Sequence, residues 1–214
     1  MTAQMYVPPT TVQRLPVYLR CLVEAQSQRM DLVNSVQIAE MAGTNAAQVR
    51  KDLSYLGEYG TRGIGYDVDT LIAHLTRWLG LERTRKAAIV GYGRLGSALR
   101  SYGGFQDRGI SIVAVLDADS DKIGSAAGDL VIEPISELGK VVAREGVEIV
   151  ILTVPADVAQ HVANVAIQAG VKAILNFAPV LLEVPRDVVV RQADMAGELQ
   201  ILSFHLSELE RAGS

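Results

Sequence analysis

The chain has 214 residues, of which 49% are apolar and 21% are charged, which is the composition of a globular protein with one large or two small domains. It has no run of about eighteen uncharged apolar residues, and its N-terminus lacks a basic segment followed by an apolar one. We therefore expect neither a membrane span nor a signal peptide, and a cytoplasmic location. The single cysteine, Cys21, excludes an internal disulfide and is interpreted as a small core residue rather than a reactive thiol.

Charge is unevenly divided along the chain. Residues 1–86 hold ten basic and eight acidic side chains, whereas residues 87–214 hold ten basic and sixteen acidic ones, which together give the net charge of -4. A slightly basic module is thus joined to an acidic one, and this permits a polyanionic partner for the first part.

Residues 1–80 are predicted to form a helical domain. Thr10 and Thr11 can cap a first helix, and Pro16 predicts that its regular part begins there or kinks. The apolar residues expected on its buried face are Val12, Leu15, Leu19, Leu22 and Val23.

Two short helices separated by a glycine-containing turn follow the first helix. Ser35 is the predicted N-cap of one that ends at Gly43, and Thr44 or Asn45 begins another that ends at Gly57. This order predicts a helix-turn-helix.

The last of these helices is the predicted recognition helix. With Val49, Leu53 and Leu56 in the core, the side chains expected to contact DNA are Gln48, Arg50, Lys51, Ser54 and Tyr55. A solvated helix face would explain the two basic residues alone, but the segment 58–68 favours DNA binding.

Segment 58–68 has glycines at positions 60, 63 and 65 around Arg62. This pattern predicts a hairpin with a basic tip, which would be the wing of a winged helix. A flexible turn is the alternative. Tyr66 at the end of this segment is included among the DNA-binding candidates. Asp69 or Thr70 is the predicted cap of a final helix that ends at Gly80, and the charged segment 81–86 is the predicted domain boundary.

Residues 81–204 begin with the pattern expected of a dinucleotide-binding domain. An apolar run, 87–90, leads into Gly91-Tyr92-Gly93-Arg94-Leu95-Gly96 and then into a helical pattern. Gly91 is expected to allow the tight turn, Gly93 to let a pyrophosphate approach the backbone, and Gly96 to let the helix lie close to its strand. Asp117 ends the next strand and can accept the ribose hydroxyls, which favours NAD(H) over NADP(H).

Strands and helices alternate beyond Asp117, which predicts an α/β domain with a doubly wound parallel sheet. Helices are expected over 135–145 and 156–169, and buried strands over 147–155 and 171–179. The ligand site should lie along the carboxyl ends of the strands. The candidate nucleotide-binding residues are Gly91, Tyr92, Gly93, Arg94, Leu95, Gly96, Asp117, Thr153, Pro155, Asn176 and Phe177.

Metal and catalytic sites are not predicted. The aspartates at 119 and 121 lack the frame of a calcium loop. The histidines at positions 74, 161 and 205 are scattered singly, which is typical of structural or surface histidines. Short late strands are expected over 188–190, 194–196 and 199–202, followed by a terminal helix over 205–211 that is too short to be stable without packing on something, such as a second subunit.

The chain from Arg14 onward resembles the Rex family of bacterial redox-sensing transcriptional repressors. The motifs that carry the resemblance are Val49-Arg50-Lys51-Asp52-Leu53-Ser54-Tyr55, residues 57–66, the glycine motif 91–96, Leu152-Thr153-Val154-Pro155 and Asn176-Phe177-Ala178-Pro179. The resemblance implies an N-terminal winged helix, a Rossmann domain that binds NADH and NAD+, and a homodimer in which the last helix, 205–214, swaps into the partner. It also implies binding to palindromic operator DNA and release when NADH binds.

The resemblance further implies a switch network of Arg20, Tyr102 and Asp194. An ion pair between Arg20 and Asp194, bridged by Tyr102, would tie nicotinamide occupancy to domain orientation. This chain has Met195 where some relatives have a phenylalanine after the aspartate. Met195 can replace that ring only as apolar packing.

Two other functions fit parts of the sequence. A small NAD-dependent oxidoreductase would use the same glycine motif, although few residues are left for a substrate domain. A DNA-binding repressor with a purely structural nucleotide is the other.

Overall fold

The computed structural model describes residues 7–57, 60–61 and 64–213. The chain divides into two compact units, Met1–Arg83 and Thr84–Ser214. Glu58, Tyr59, Arg62 and Gly63 lie outside the described residues, so the prediction of Arg62 as a wing residue stays a prediction.

The first unit consists of four helices and a small antiparallel sheet within the described residues. Its elements in chain order are α1 (Pro9–Ser27), β1 (Leu32–Val33), α2 (Ser35–Ala42), α3 (Ala46–Ser54), β2 (Tyr66–Asp67) and α4 (Val68–Trp78). The core forms where one face of each helix meets the others, and its largest fully buried side chains include Tyr18, Leu22, Ile38 and Leu71. Val49, Leu53 and Leu56 are buried as predicted.

Helix α1 differs from its prediction at its start and on its buried face. It begins at Pro9 and continues through Pro16, and no side chain caps its first turn. A proline is tolerated in the first turn because that N–H has no partner in the helix. Val12 and Val23 are exposed, whereas Tyr18 is buried. Leu15 and Leu22 are buried and Leu19 is partly buried, as predicted, so the predicted face is correct except at Val12 and Val23.

Two helix caps lie earlier in the sequence than predicted. Asn34, and not Ser35, caps α2: its side chain accepts from the N–H of Gln37, whose side chain accepts from the N–H of Asn34. Asp67, and not Asp69 or Thr70, caps α4 by accepting from the N–H of Thr70. Asn45 caps α3, one of the two residues proposed for that role.

The segment after α3 returns to pair with β1. Thr61 and Gly65 form an antiparallel bridge, and Tyr66 then pairs with Val33 in the β1–β2 sheet. Gly65 has φ of 110°, and a Cβ there would lie 2.5 Å from the Val33 carbonyl oxygen, so the close approach of the two segments requires glycine. This is the short hairpin of a winged helix in its described part.

The second unit is built on a seven-stranded sheet within the described residues. Its strands are β3 (Arg85–Val90), β4 (Ile110–Asp117), β5 (Ala126–Ala127), β6 (Leu130–Pro134), β7 (Ile149–Leu152), β8 (Ala173–Asn176) and β9 (Val189–Gln192). Its helices are α5 (Arg94–Arg100), α6 (Leu138–Glu145), α7 (Ala156–Gln168) and α8 (Met195–Ala212). The spatial order is β5-β6-β4-β3-β7-β8-β9.

All pairs in this sheet except β5–β6 are parallel. Leaving out β5, the order is the one typical of a Rossmann fold: β4 and β6 lie on one side of β3, and β7, β8 and β9 lie on the other, so the strand order reverses at β3. Residues Ala87 to Val90 of β3 are fully buried, as expected for a central parallel strand covered on both faces. The predicted doubly wound parallel sheet is confirmed.

The C-terminal segment is where the second unit departs most from the prediction. The sequence predicts short strands over 194–196 and 199–202 and a helix only over 205–211, but α8 begins at Met195, capped by Asp194, and continues to Ala212. The helix has no buried residue in this chain, so periodicity against a core could not reveal it. The predicted helix over 135–145 also begins differently, with a 3₁₀ turn, Ile135–Glu137, before α6. Among the described helices, none has the length and apolar character needed to cross a membrane.

Candidate nucleotide site and nucleic-acid interface

The three glycines between β3 and α5 have distinct surroundings. Gly91 has φ of 98°, and a Cβ there would lie 2.6 Å from the Thr153 carbonyl oxygen. A Cβ on Gly96 would collide with the Gly91 carbonyl oxygen, so glycine lets α5 start directly against the turn. At Gly93 a Cβ would meet no atom within 4 Å, so its backbone faces open space. Gly91 therefore allows the tight turn, Gly96 the close packing of α5, and Gly93 an open approach to the backbone, as predicted.

Asp117 lies at the end of β4, next to this turn. Its carboxylate accepts from the backbone N–H of Tyr92 at 2.5 Å and of Asp119 at 2.8 Å. Burial by itself would raise the pKa of Asp117, but these N–H groups and the nearby Lys122 ammonium lower it below its usual value. The carboxylate is thus held in its ionised form at the rim of the turn.

A cleft of about 660 Å³ opens at this edge of the sheet. It is lined by Gly91, Gly93, Leu95, Asp117, Ala118, Lys122, Ile135, Thr153, Val154, Pro155, Val158, His161, Val162 and Phe177. Its volume lies within the roughly 300–1,000 Å³ range of small-molecule sites. The cleft lies at the carboxyl ends of β3, β4 and β7, where ligands bind in open parallel sheets.

A second cleft, of about 490 Å³, continues from the first, and the two share Leu95 and Phe177. Its other lining residues are Pro179, Val180, Leu181, Gln192, Ala193, Asp194, Met195 and Ala196. It is largely apolar and reaches the first turn of α8. Two joined clefts provide room for a ligand with two parts.

Seven of the eleven predicted nucleotide-site residues line these clefts, namely Gly91, Gly93, Leu95, Asp117, Thr153, Pro155 and Phe177. Gly96 lies buried beneath the turn. Tyr92 packs against the apolar cluster around Val115, and Arg94 is exposed at the start of α5.

Asn176 is a correction to the predicted site. It is fully buried, and its amide donates to the Val180 carbonyl and to the Gln192 side chain, while its oxygen accepts from the Ala178 N–H. Its side chain therefore shapes the loop after β8 instead of facing the cleft. A polar residue at a strand end can serve either purpose, and the sequence alone does not distinguish them.

Lys122 and His161 line the cleft and were not predicted to do so. Lys122 follows the strand end by five residues, and its Nζ lies 3.4 Å from Asp117 Oδ2 and 3.3 Å from Asp119 Oδ2. His161 is on α7, about one turn beyond Val158, which also lines the cleft. Its spacing from the strand end could have indicated that it faces the same edge of the sheet.

The recognition helix α3 exposes the basic residues predicted to contact DNA. Arg50, Lys51 and Ser54 are exposed, and Tyr55 is half-buried. Arg50 donates to the Ser35 hydroxyl at 2.8 Å, which places its guanidinium beside the start of α2. Tyr66 is half-buried, and burial raises its pKa.

Gln48 differs from the expectation that it points outward. Its amide nitrogen donates to Asp52 Oδ1 at 2.9 Å, and the residue is half-buried. Asp52 itself is fully buried. Burial favours the neutral acid, but hydrogen bonds from Arg14, Thr11, Tyr18 and Gln48 lower the pKa of Asp52 to about 2. A buried charge on α3 therefore fixes Gln48 inward.

The three residues of the implied switch network lie in different elements. Arg20 is exposed on α1 in the first unit. In the second unit, Tyr102 is exposed and packs edge-to-face on Phe105 at 5.1 Å, and Asp194 caps α8 by accepting from the Gly197 N–H at 2.9 Å. Asp194 also lines the second cleft, so one carboxylate contacts both the cleft and the helix start.

Two family models match the chain. Residues 6–54 match the model described as putative DNA-binding protein N-terminus, and residues 82–180 match the CoA binding domain model. The two matches fall on the two structural units.

Curated relatives and solved structures cover nearly the whole chain. The redox-sensing transcriptional repressor Rex of Streptomyces griseus subsp. griseus is 45% identical, over 97% of this chain and 81% of the relative. Rex of Desulforamulus reducens is 45% identical, over 96% of this chain and 98% of the relative.

Among solved structures, the chain is similar to RSP, a Rex-family repressor. The RSP complex with beta-NADH has a TM-score of 0.88 at 32% identity and covers 98% of this chain and 99% of that one. The RSP complex with beta-NAD+ and operator DNA has a TM-score of 0.90 at 33% identity, with coverage of 98% and 97%. The chain therefore belongs to the Rex family of redox-sensing transcriptional repressors.

Proposed function

We propose that the protein is a DNA-binding repressor that senses the NADH/NAD+ ratio and leaves its operator when NADH binds. The observation that carries the proposal is the glycine turn and Asp117 at the mouth of a two-part cleft, in a chain whose other unit exposes a basic recognition helix. The structure of RSP with NADH, and that of RSP with NAD+ and operator DNA, support the proposal that this chain binds both the nucleotide and operator DNA.

The nucleotide would span the two clefts. Asp117 would accept hydroxyls of the adenosine ribose, and the open backbone at Gly93 would face the pyrophosphate. The nicotinamide would then lie in the second cleft, against Phe177, Pro179 and Met195. An apolar surface there favours the neutral reduced ring over the positively charged oxidised ring.

NADH can release the protein from DNA only if it binds the DNA-free and DNA-bound forms with different affinities. NADH must bind the DNA-free form more tightly than the DNA-bound form, and DNA must weaken NADH binding by the same factor. Tyr102, Asp194 and Arg20 are the proposed residues of this coupling. Asp194 suits the role because its carboxylate both lines the second cleft and caps α8.

We propose that the apolar side chains of helix α8 are buried against a second copy of the chain. Its exposed large apolar residues are Met195, Leu199, Ile201, Leu202, Phe204, Leu206 and Leu209. So many exposed apolar side chains on one helix mark an interaction surface. A swapped helix in a homodimer buries them and pairs two recognition helices for a palindromic operator, whose half-sites are roughly 34–36 Å apart.

The DNA contacts are assigned to α3 and the hairpin. Arg50, Lys51 and Ser54 are exposed for phosphate and base contacts, with the half-buried Tyr55 and Tyr66 beside them and Gln48 in a supporting position. Arg62 is proposed as a further contact from its place in the sequence of the hairpin. A repressor that binds operator DNA would act in the cytoplasm, and this is the proposed location.

The protein is proposed to be a sensor and not an enzyme. In the part of the chain that the structure describes, Asp194 is the one titratable residue that lines the second cleft, and its carboxylate is used to cap α8. His161 lines only the first cleft. A small oxidoreductase would need an acid or base beside the nicotinamide.

Two binding experiments test this function. NADH fluorescence titration should detect binding to the wild-type protein, and the same protein should enrich a palindromic sequence from a random DNA library. Loss of NADH binding in Gly93→Ala with DNA binding retained but insensitive to NADH would support the proposal. A wild-type protein that binds NADH and DNA but does not release the DNA when NADH is added would instead carry a purely structural nucleotide. Steady NADH oxidation with carbonyl substrates would favour the oxidoreductase.

A further inference from the structure

The side chain of Tyr102 folds back over a glycine of its own loop. A Cβ built on Gly104 would lie 2.5 Å from the Tyr102 Oη and 2.5 Å from its Cζ, so the phenol occupies the space that a side chain at position 104 would need. The same ring packs edge-to-face on Phe105, with the ring centroids 5.1 Å apart. Gly104 and Phe105 therefore form a seat for the Tyr102 ring.

The tyrosine, and not the backbone, requires glycine at position 104. Gly104 lies in the 3₁₀ turn Gly103–Arg108, and its φ is outside the positive region that favours glycine. The three atoms nearest to a Cβ at this position all belong to the Tyr102 phenol. The neighbouring Gly103 also has an ordinary φ, and a Cβ there would meet no atom within 4 Å. Alanine at position 104 is thus compatible with the fold once Tyr102 leaves the seat.

The seated tyrosine makes no polar contact with its proposed partner. Within the described ranges of the chain the Tyr102 hydroxyl forms no hydrogen bond, and the residue is 48% exposed. The carboxylate of Asp194 accepts instead from the Gly197 N–H at 2.9 Å. In the seat, Tyr102 therefore takes no part in the bridge to Asp194 on which the proposed coupling depends.

The seat and the bridge compete for one side chain. Tyr102 can occupy only one of the two positions, so the contacts of the seat are lost whenever the bridge forms. One edge-to-face contact of a half-exposed ring is a small contribution, and it shifts the balance between the two positions without locking it. Filling the seat should therefore favour the bridge.

We propose that Gly104 is a positioning residue of the redox response, which keeps open the seat that withdraws Tyr102 from the bridge. The proposal rests on the proposed function, and within it on Tyr102 as a coupling residue. Gly104 lines neither cleft, so its effect on the response to NADH would pass through Tyr102 and not through contact with the nucleotide.

The test measures the NADH concentration that releases half of the protein from its palindromic DNA, followed by DNA anisotropy. Gly104→Ala removes the seat and keeps the hydroxyl, whereas Tyr102→Phe removes the hydroxyl and keeps a ring that fits the seat. The two changes should move the half-release concentration in opposite directions, with Gly104→Ala shifting it about fivefold, about 1 kcal/mol. Gly103→Ala adds the same methyl group where it meets no atom and should leave the wild-type value unchanged.

A double variant separates an effect through Tyr102 from a general effect on the fold. Without the hydroxyl no bridge can form, so adding Gly104→Ala to Tyr102→Phe should cause no further shift. Thermal unfolding verifies that each variant is folded. If Gly104→Ala does not fold, Phe105→Leu removes the edge-to-face partner instead and should shift the half-release concentration about twofold, opposite to Tyr102→Phe.

The possible results separate this inference from the function beneath it. The inference is overturned, and the sensor function stands, if folded Gly104→Ala responds to NADH like Gly103→Ala, if it shifts in the same direction as Tyr102→Phe, or if its shift is the same with and without the Tyr102 hydroxyl. No shift in Phe105→Leu overturns it in the same way when Gly104→Ala is unfolded. If NADH does not release the wild type from DNA, the proposed function fails and the inference with it.

Discussion

Arg14 of α1 holds Asp52 of the recognition helix in a bidentate ion pair, with Nε 2.6 Å from Oδ2 and Nη2 2.8 Å from Oδ1. Asp52 is fully buried, and the hydroxyls of Thr11 and Tyr18 also donate to it at 2.8 Å each. Burial and the adjacent carboxylate raise the pKa of Tyr18 above its usual range, so that it stays a donor. The pair fixes the rotation of α3 about its axis, and with it the direction in which Arg50 and Lys51 point.

Replacing Asp52 should destabilise the first unit and weaken DNA binding indirectly. Asp52→Asn leaves Arg14 with no anionic partner in a partly buried place, at a cost of about 3 kcal/mol in the free energy of unfolding. Chemical denaturation measures this. Thr11→Val removes a single hydrogen bond and should cost only about 1 kcal/mol. Equal stability of Asp52→Asn and wild type would show that the pair does not organise the helices.

Lowering the pH should remove the contribution of the ionised Asp52 to the free energy of unfolding. Its pKa is about 2 in the folded state against 3.8 as the reference value, so the unfolded chain binds the proton more readily. The resulting stabilisation, about 2 kcal/mol, is fully present above pH 4 and is lost as the pH falls through 2. The difference in unfolding free energy between wild type and Asp52→Asn should therefore shrink between about pH 5 and pH 2.5. A constant difference would contradict the lowered pKa.

The glycine turn offers a matched pair of alanine substitutions. Gly96→Ala places a Cβ against the Gly91 carbonyl and should cost about 1 to 3 kcal/mol of stability as well as NADH binding. Gly93→Ala meets no atom within 4 Å, so stability should be nearly unchanged while NADH affinity falls at least tenfold through contact with the pyrophosphate. Thermal unfolding and NADH titration separate the two effects. Full NADH affinity in Gly93→Ala would place the phosphates elsewhere.

Removing a basic residue of α3 should change the salt dependence of DNA binding. Lys51→Ala removes an exposed charge and should lower the slope of log K against log salt by about one while weakening binding to all sequences alike. Lys140→Ala on α6 serves as the control because it removes a charge from the acidic unit. Fluorescence anisotropy over a salt series gives the slopes. Identical slopes for Lys51→Ala and wild type would remove Lys51 from the interface.

Polar substitution in α8 should separate the subunits. Leu202→Glu and Leu206→Glu place charges on a helix where the leucines are 58% and 60% exposed in a single chain. If a second copy covers them, sedimentation should shift from dimer to monomer and operator affinity should fall. Glu208→Gln is a suitable control on the same helix. A wild-type protein that sediments as a monomer would contradict the proposed swap.

The cleft was largely predictable because glycine spacing and strand ends can be read in the sequence. Glycine is needed at position 96 because of the Gly91 carbonyl, and at position 91 because of the Thr153 carbonyl, which follows the neighbouring strand β7. The rule that ligands meet the carboxyl ends of parallel strands indicated Asp117, Thr153 and Phe177, which line the cleft, and their contacts with a nucleotide stay predictions.

The features that the sequence did not reveal depend on long-range contacts or on a partner. The burial of Asp52 was not predicted, because it depends on Arg14, Thr11 and Tyr18 from another helix. Helix α8 has no buried face within the chain, so its periodicity indicated short strands. Asn176 shows the same difficulty, since its amide partners come from a loop and a strand that follow it.

Release of operator DNA by the two nucleotides measures the redox-sensing claim most directly. Operator-bound protein is titrated with NADH and, in a separate experiment, with NAD+, at constant concentrations of salt and of labelled DNA. The fluorescence anisotropy of the DNA reports how much protein remains bound. NADH should release the DNA at concentrations at least tenfold below those of NAD+, and Gly93→Ala should abolish the response to both. Equal release by NADH and NAD+, or no release by either from a protein that binds both, would contradict the claim that this chain reads the redox state of the nucleotide.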